Sequence, residues 1–99
     1  MELFIQQQEV GSKGAIFIDH NDEWVGEMTY SRASPELIII DHTEVSDELR
    51  GTGAGQAMVE AAVNFARETN AKIIPLCPFA LATFKKHPEW HDVLKNPLT

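Results

Sequence analysis

The sequence predicts an α/β domain of the α+β kind, a mixed and mostly antiparallel sheet that ends in one parallel β-α-β unit. Three observations predict it. Short apolar runs separated by turn formers fill the first 45 residues, which is how antiparallel strands read. An Ala-rich stretch with a 3.6-residue apolar period follows, from about Gly53 to Thr69, and reads as one long helix. A new strand, Lys72 to Leu76, comes directly after it, so it lies parallel to the strand before the helix by the right-handed crossover rule.

Taken in order, Leu3, Ile5 and Gln7 alternate with Phe4 and Gln6 in a first strand, Gly11 to Gly14 turn the chain, and Ala15 to Ile18 form a second strand. Asp19-His20-Asn21-Asp22 is rich in turn formers and reverses the chain again. The third strand, Trp24 to Tyr30, places Trp24, Gly26, Met28 and Tyr30 on one face and Val25, Glu27 and Thr29 on the other. After a loop at Ser31 to Pro35, Leu37-Ile38-Ile39-Ile40 begins a fourth strand that is apolar on both faces. Such a strand is expected inside a sheet, covered above and below. Asp41, His42, Thr43 and Glu44 make its end polar, and Ser46 to Arg50 connect it to the helix. That helix carries a narrow polar stripe at Gln56, Glu60, Asn64 and Arg67, and Asn70 suits a left-handed C-terminus. Beyond the fifth strand, Pro78 opens a second short helix, FALATFKK. His87 and Pro88 interrupt it, Glu89 to Leu94 form a last turn or two, and Asn96-Pro97 ends the fold.

At 99 residues the chain is expected to be one domain, burying roughly 60 to 70% of its unfolded surface. Eight Lys and Arg against fifteen Asp and Glu, a net charge of -7, argue against a nucleic-acid partner. Nine of the acids fall between Asp19 and Glu48, where Arg32 is the one basic residue. That side serves as a solubilising surface or attracts a cationic substrate such as an amine. The single cysteine, Cys77, rules out an internal disulfide and suits a reducing compartment. With no apolar run near membrane-spanning length and no signal-peptide pattern at MELFIQQQEV, no membrane partner and a cytoplasmic location are expected. A homodimer that buries an apolar edge is compatible with so small a fold.

Arg50, Gly51, Thr52, Gly53, Ala54 and Gly55 form a turn with little side-chain bulk at the start of the long helix. Free N–H groups and the positive dipole end make such a place an anion site, most often for phosphate. A P-loop is excluded because no Lys follows the glycines. A dinucleotide fingerprint fails at Gln56 or Met58, and the acidic residue it expects is replaced by Pro75, Leu76 and Cys77. What fits is R-x-x-G-x-G, as Arg50, Gly53 and Gly55.

That motif resembles the pyrophosphate-binding loop of the GNAT superfamily of N-acetyltransferases. The segment after the fifth strand strengthens the resemblance. Where the superfamily often carries N-x-x-A-x-x-x-Y-x-K-x-G-F, this chain has Cys77, Ala80, Phe84, Lys86, Pro88 and Glu89. Phe84 keeps the ring of the motif's Tyr but lacks the hydroxyl that often serves as general acid. Cys77 in place of Asn, with HTEV before the loop and CPF…HPEW after it, resembles a small GNAT-like branch of roughly 100-residue proteins, which lacks the first helices and last strands of the full fold. The resemblance covers about Ile38 to Leu94. It implies a minimal GNAT-like fold, acetyl-CoA or CoA as co-substrate, and an amine as acceptor. It further implies that the ligand is held by Thr43, Glu44, Val45, Arg50, Gly51, Thr52, Gly53, Ala54, Gly55, Cys77, Phe84, Lys85 and Lys86. Arg50, Lys85 and Lys86, three of eight basic residues, are all expected near the anion.

Three residues are candidates for catalysis. Cys77 fits a nucleophile activated by a helix N-terminus, and fits equally a small buried hydrophobe. Glu44 and His42, two apart on one face of a strand, are candidate bases for an amine that is mostly protonated at neutral pH. Each also reads as an ordinary strand-end or hydrogen-bonded residue. Transfer by direct attack and transfer through an acetylated Cys77 both remain open, as does a CoA-binding module without turnover. No metal site is expected: His87 and His91 are four apart with Pro88 between them and no third ligand by spacing.

Overall fold

The structure, a computed structural model, describes residues 4–20, 23–46 and 53–96. Leu3, Asn21, Asp22, the stretch from Asp47 through Arg50 to Thr52, and Pro97 lie outside the described residues, as does the side chain of Trp24. Five strands form one sheet in chain order: β1 (Phe4–Val10), β2 (Lys13–His20), β3 (Glu23–Ser34), β4 (Leu37–Val45) and β5 (Lys72–Pro75). β1 to β4 are antiparallel neighbours, and β5 runs parallel to β4. The crossover between them is helix α1 (Ala54–Thr69); α2 (Pro78–Lys86) and a 3-10 helix (Pro88–Val93) follow β5.

Local chemistry sets the boundaries. Gly11, at φ 62, makes a two-residue turn with Ser12 between β1 and β2, the loop length and glycine position of a primed hairpin turn. The expected loop from Ser31 to Pro35 is shorter than the sequence suggests: β3 continues to Ser34, and Pro35-Glu36 alone turn into β4. Polar residues at Ser31 to Ser34 still pair because the ladder with β4 supplies their backbone bonds. Asn70 ends α1 at φ 57, its N–H reaching back to Ala66 and Arg67 carbonyls.

All three helices lie on one face of the sheet. Ile16, Ile18, Met28, Tyr30, Ile38, Ile40 and Ile73 point to that face and form one core with Met58, Val59, Ala62, Val63 and Ala66 of α1, Ala80 and Phe84 of α2, and Trp90 and Val93. Covering β4 on both sides was expected and is not observed. Leu37 and Ile39, on the other face, are half-buried, and Leu76 just past β5 is 63% exposed. The apolar run of β4 therefore reports a strand flanked by β3 and β5 on its edges rather than one sandwiched between layers.

Candidate functional site

A bulge in β4 decides which residues reach the site. Thr29 of β3 pairs with His42 while the next residue, Tyr30, pairs with Ile40, so Asp41 is an extra residue in the ladder. Its carboxylate accepts a 2.7 Å bond from the Ser31 hydroxyl, which in turn accepts one of 2.8 Å from Lys13. The extra residue inverts the parity of the strand. Without it, His42 and Glu44 would share the helix-covered face with Ile38 and Ile40. With it, Thr43 and Val45 take that face, opposite Met28 and Gly26, and His42 and Glu44 turn to the uncovered one.

The bulge coincides with the point where β4 and β5 part. Their ladder runs from Leu37–Lys72 to Ile40–Pro75 and closes with the Leu76 N–H on the Ile40 carbonyl at 3.1 Å. From Asp41 to Val45, β4 remains paired to β3 on one side, and among the described residues its other backbone edge has no strand partner. An edge without a strand partner leaves its outward N–H and C=O groups available to a ligand or water. At the far end of β4, beside the start of β3, a groove of about 510 Å³ is lined by Val25, Gly26, Glu27, Thr43, Glu44, Val45 and Ser46. The hydroxyls of Thr43 and Ser46 are buried there without a fully formed hydrogen bond.

At the head of α1, Gly53 has φ 85, no side chain caps the helix, and its first turn holds no acidic residue. The first intrahelical bond that closes on this cap is from Ala57 N–H to the Gly53 carbonyl, 2.9 Å, so the N–H groups of Ala54, Gly55 and Gln56 are left as donors without a cap. Gly55 is required for packing as well: a Cβ there would meet the Phe79 ring at 2.4 Å. The first turn of α1 and the first turn of α2 thus touch. Arg50, Gly51 and Thr52, expected to complete this loop, lie outside the described residues.

Cys77 is the N-cap of α2 and only 4% exposed. Burial pushes its thiol up; the Thr43 hydroxyl and the backbone N–H groups of Ala80, Phe79 and Thr43 outweigh burial and leave the pKa below the ordinary thiol value. Since the Thr43 hydroxyl lacks a fully formed hydrogen bond, the backbone N–H groups are the firmer part of that support. His42 and Glu44 bond each other, Nε2 to Oε1 at 2.9 Å, well exposed on the uncovered face. The three catalytic candidates are therefore not one cluster: Cys77 with Thr43 lies on the helix side, and the His42–Glu44 pair lies on the other.

Three expected ligand residues sit elsewhere. Phe84 is fully buried, its ring edge-on to Trp90 at 6.3 Å between centroids, and is a core residue in this structure. Lys85 and Lys86 occupy the last turn of α2, about 10 Å along the helix axis from Phe79, at the end away from the head of α1. Helix direction separates what sequence proximity joined. The signal missed in the sequence is Glu27, which lines the groove directly opposite Glu44. His87 and His91 have separate partners, Glu89 at 3.0 Å and the Phe84 carbonyl at 2.6 Å.

Comparison with known proteins identifies the family and the fold. The family model for the GCN5-related N-acetyltransferases matches residues 15–93. No curated protein matches the sequence. A GCN5-like N-acetyltransferase candidate from Staphylococcus aureus, solved by NMR, is 36% identical over 94% of this chain and 90% of its own, with a TM-score of 0.70. A GNAT acetyltransferase from Elizabethkingia anophelis with acetyl-CoA bound is 17% identical over 65% of this chain and 42% of its own, TM-score 0.57. Tetrahymena GCN5 is 14% identical over 89% of this chain and 64% of its own, TM-score 0.63. These last two show a shared fold, and the chain spans less than two thirds of the length of either. With four fifths of its residues inside the family model, and a relative 36% identical over nearly the whole of both chains, the chain belongs to the GCN5-related N-acetyltransferases.

Proposed function

We propose that the protein transfers an acetyl group from acetyl-CoA to an amine. The observation that carries this reading is the stretch of β4 from Asp41 to Val45, which among the described residues has no strand partner on its outer edge, between the uncapped head of α1 and the cap of α2. The diphosphate of CoA is held at Gly53, Ala54 and Gly55 together with Arg50, Gly51 and Thr52. The pantetheine arm lies along β4, where it bonds outward backbone groups of that edge and the hydroxyls of Thr43 and Ser46. The amine approaches from the uncovered face, where Glu27 and Glu44 favour a cation. Glu44, hydrogen-bonded to His42, takes its proton, directly or through water. The neutral nitrogen then attacks the thioester carbonyl; the C–N bond forms, the C–S bond breaks, CoA leaves as the thiolate, and the proton that the nitrogen sheds on becoming an amide passes to that thiolate.

A second route starts from Cys77, whose lowered pKa favours a thiolate on the helix side. There the acetyl group passes first to the sulfur and CoA leaves as the thiolate; the neutral amine then attacks the acetylated cysteine, the Cys77 thiolate leaves, and the proton shed by the nitrogen passes to the CoA thiolate. Titration of CoA and acetyl-CoA into the protein, with ATP and NAD as controls, followed by intact mass, tests both. Selective CoA binding supports the ligand; one acetyl group mapped to Cys77 selects the second route. CoA binding with no acceleration of transfer to any amine leaves a binding module, and no binding at millimolar CoA sinks the reading.

A further inference from the structure

We propose that β1 is an association edge, where two copies of this chain join by antiparallel β1–β1 pairing into one continuous sheet. The two edges of the sheet are treated differently. β5 is bridged by the C-terminal segment, Ile73 to Leu94, with the Lys95 N–H on the Ile73 carbonyl at 2.9 Å. Among the described residues, nothing pairs with the outward side of β1.

The turn sets which backbone groups are free. In a two-residue hairpin the flanking residues, Val10 and Lys13, form a hydrogen-bonded pair, and such pairs alternate along the ladder. Val10, Gln8, Gln6 and Phe4 thus bond to β2, and Glu9, Gln7 and Ile5 turn their N–H and C=O groups outward. The devices that ordinarily blunt an edge are missing: Phe4–Val10 contains no Lys, no Pro and no bulge. Its charged residue, Glu9, is drawn over the sheet to Arg32 at 3.3 Å, and the Gln7 amide donates to the Tyr30 hydroxyl at 2.8 Å.

A second copy is the occupant this strand fits. A two-fold axis through Gln7 overlaps the strand along its whole length. It pairs Ile5 with Glu9 of the second copy and Gln6 with Gln8 of the second copy, so no like charges meet across the junction despite a net charge of -7 per chain. The separation of β4 and β5 lies at the far side of the sheet, so both candidate sites stay open in the dimer.

Sedimentation velocity of the full chain, from micromolar to several hundred micromolar, tests this. A dimer is expected, with slowed amide exchange at Ile5, Gln7 and Glu9. The paired substitution Gln6→Lys with Gln8→Lys sets lysines against lysines and should weaken the dimer about tenfold while leaving the melting temperature of the monomer unchanged. Gln6→Lys with Gln8→Glu sets opposite charges together and should restore it. A wild-type chain that is monomeric throughout, or a dimer that responds alike to both pairs, overturns the proposal.

Discussion

Glu27 and Glu44 are direct cross-strand partners in the β3–β4 ladder, two carboxylates on the uncovered face with His42 beside one of them. Like charges placed opposite one another cost a sheet roughly 0.2 to 1 kcal/mol. Glu27→Gln is therefore expected to stabilise the fold by about that amount in urea titration. It should raise KM for a cationic amine several-fold with kcat little changed, because it removes attraction and no proton acceptor. A Glu27→Gln enzyme with unaltered KM would show that the amine does not approach past this pair.

The two catalytic routes separate by mutation. If the amine attacks directly, Glu44→Gln should lower kcat by roughly 100-fold or more, and Cys77→Ala should leave most of the rate. Through an acetylated cysteine the order reverses. CoA affinity, measured in parallel, should survive Glu44→Gln.

The thiol should show its surroundings in its pH profile. Because Cys77 titrates below an ordinary thiol, its alkylation by iodoacetamide should reach half-maximum at a lower pH than a free cysteine does. Thr43→Val removes one source of thiolate stabilisation and leaves the backbone N–H groups, so the midpoint should move upward but not disappear. An unmoved midpoint would place the whole effect in the backbone N–H groups of Thr43, Phe79 and Ala80.

Gly14 and Gly55 invite the same substitution with different outcomes. An added Cβ at Gly14 meets the Tyr30 ring at 2.3 Å, and Tyr30 is buried and held by Gln7. Gly14→Ala should cost about 1 to 3 kcal/mol. At Gly55 the obstructing group is the tip of Phe79, itself 43% exposed and able to swing away. Gly55→Ala should cost less stability and register instead as weaker CoA binding. Denaturant midpoints and CoA titration on both variants check the contrast.

The last turn of α1 is tied to the 3-10 helix by Arg67, which donates to both carboxylate oxygens of Asp92 at 2.8 and 3.2 Å and to the Glu89 carbonyl at 3.0 Å. Arg67 holds the Asp92 carboxyl below its ordinary range. A depressed folded-state pKa means the unfolded chain binds the proton first, so this contribution is present above the ordinary carboxylate range and is lost as pH falls through the folded value. The stability difference between wild type and Arg67→Met should therefore be largest near neutrality and shrink in acid.

Periodicity and turn chemistry locate most element ends, because the controlling residues are neighbours in sequence; the loop at Ser31 to Pro35 is the exception, since pairing with β4 extends β3 to Ser34. Gly11, Asn70, Pro78 and the His87-Pro88 pair mark element ends in the structure as they do in the letters. The pairing of β4 with β5 around α1, and the membership of Cys77 in the α2 cap, were legible for the same reason. Phe84 and Lys86 are expected at the ligand from a motif alignment, and Lys85 from its charge and its nearness in sequence. An alignment does not say which side of α2 meets the core or which end meets the glycine loop.

By itself, then, the sequence determined the elements, their order and the superfamily resemblance, because hydrophobic period, turn residues and the R-x-x-G-x-G spacing act over a few residues. Only the tertiary structure decided the faces. Whether Asp41 is accommodated as a bulge depends on how β3 and β4 register over residues more than ten apart, and that single extra residue sends Thr43 toward Cys77 and His42 and Glu44 away from it. The contact of Gly55 with Phe79 is likewise made across 24 residues, where packing of two helices on one sheet, and no local preference, brings the groups together.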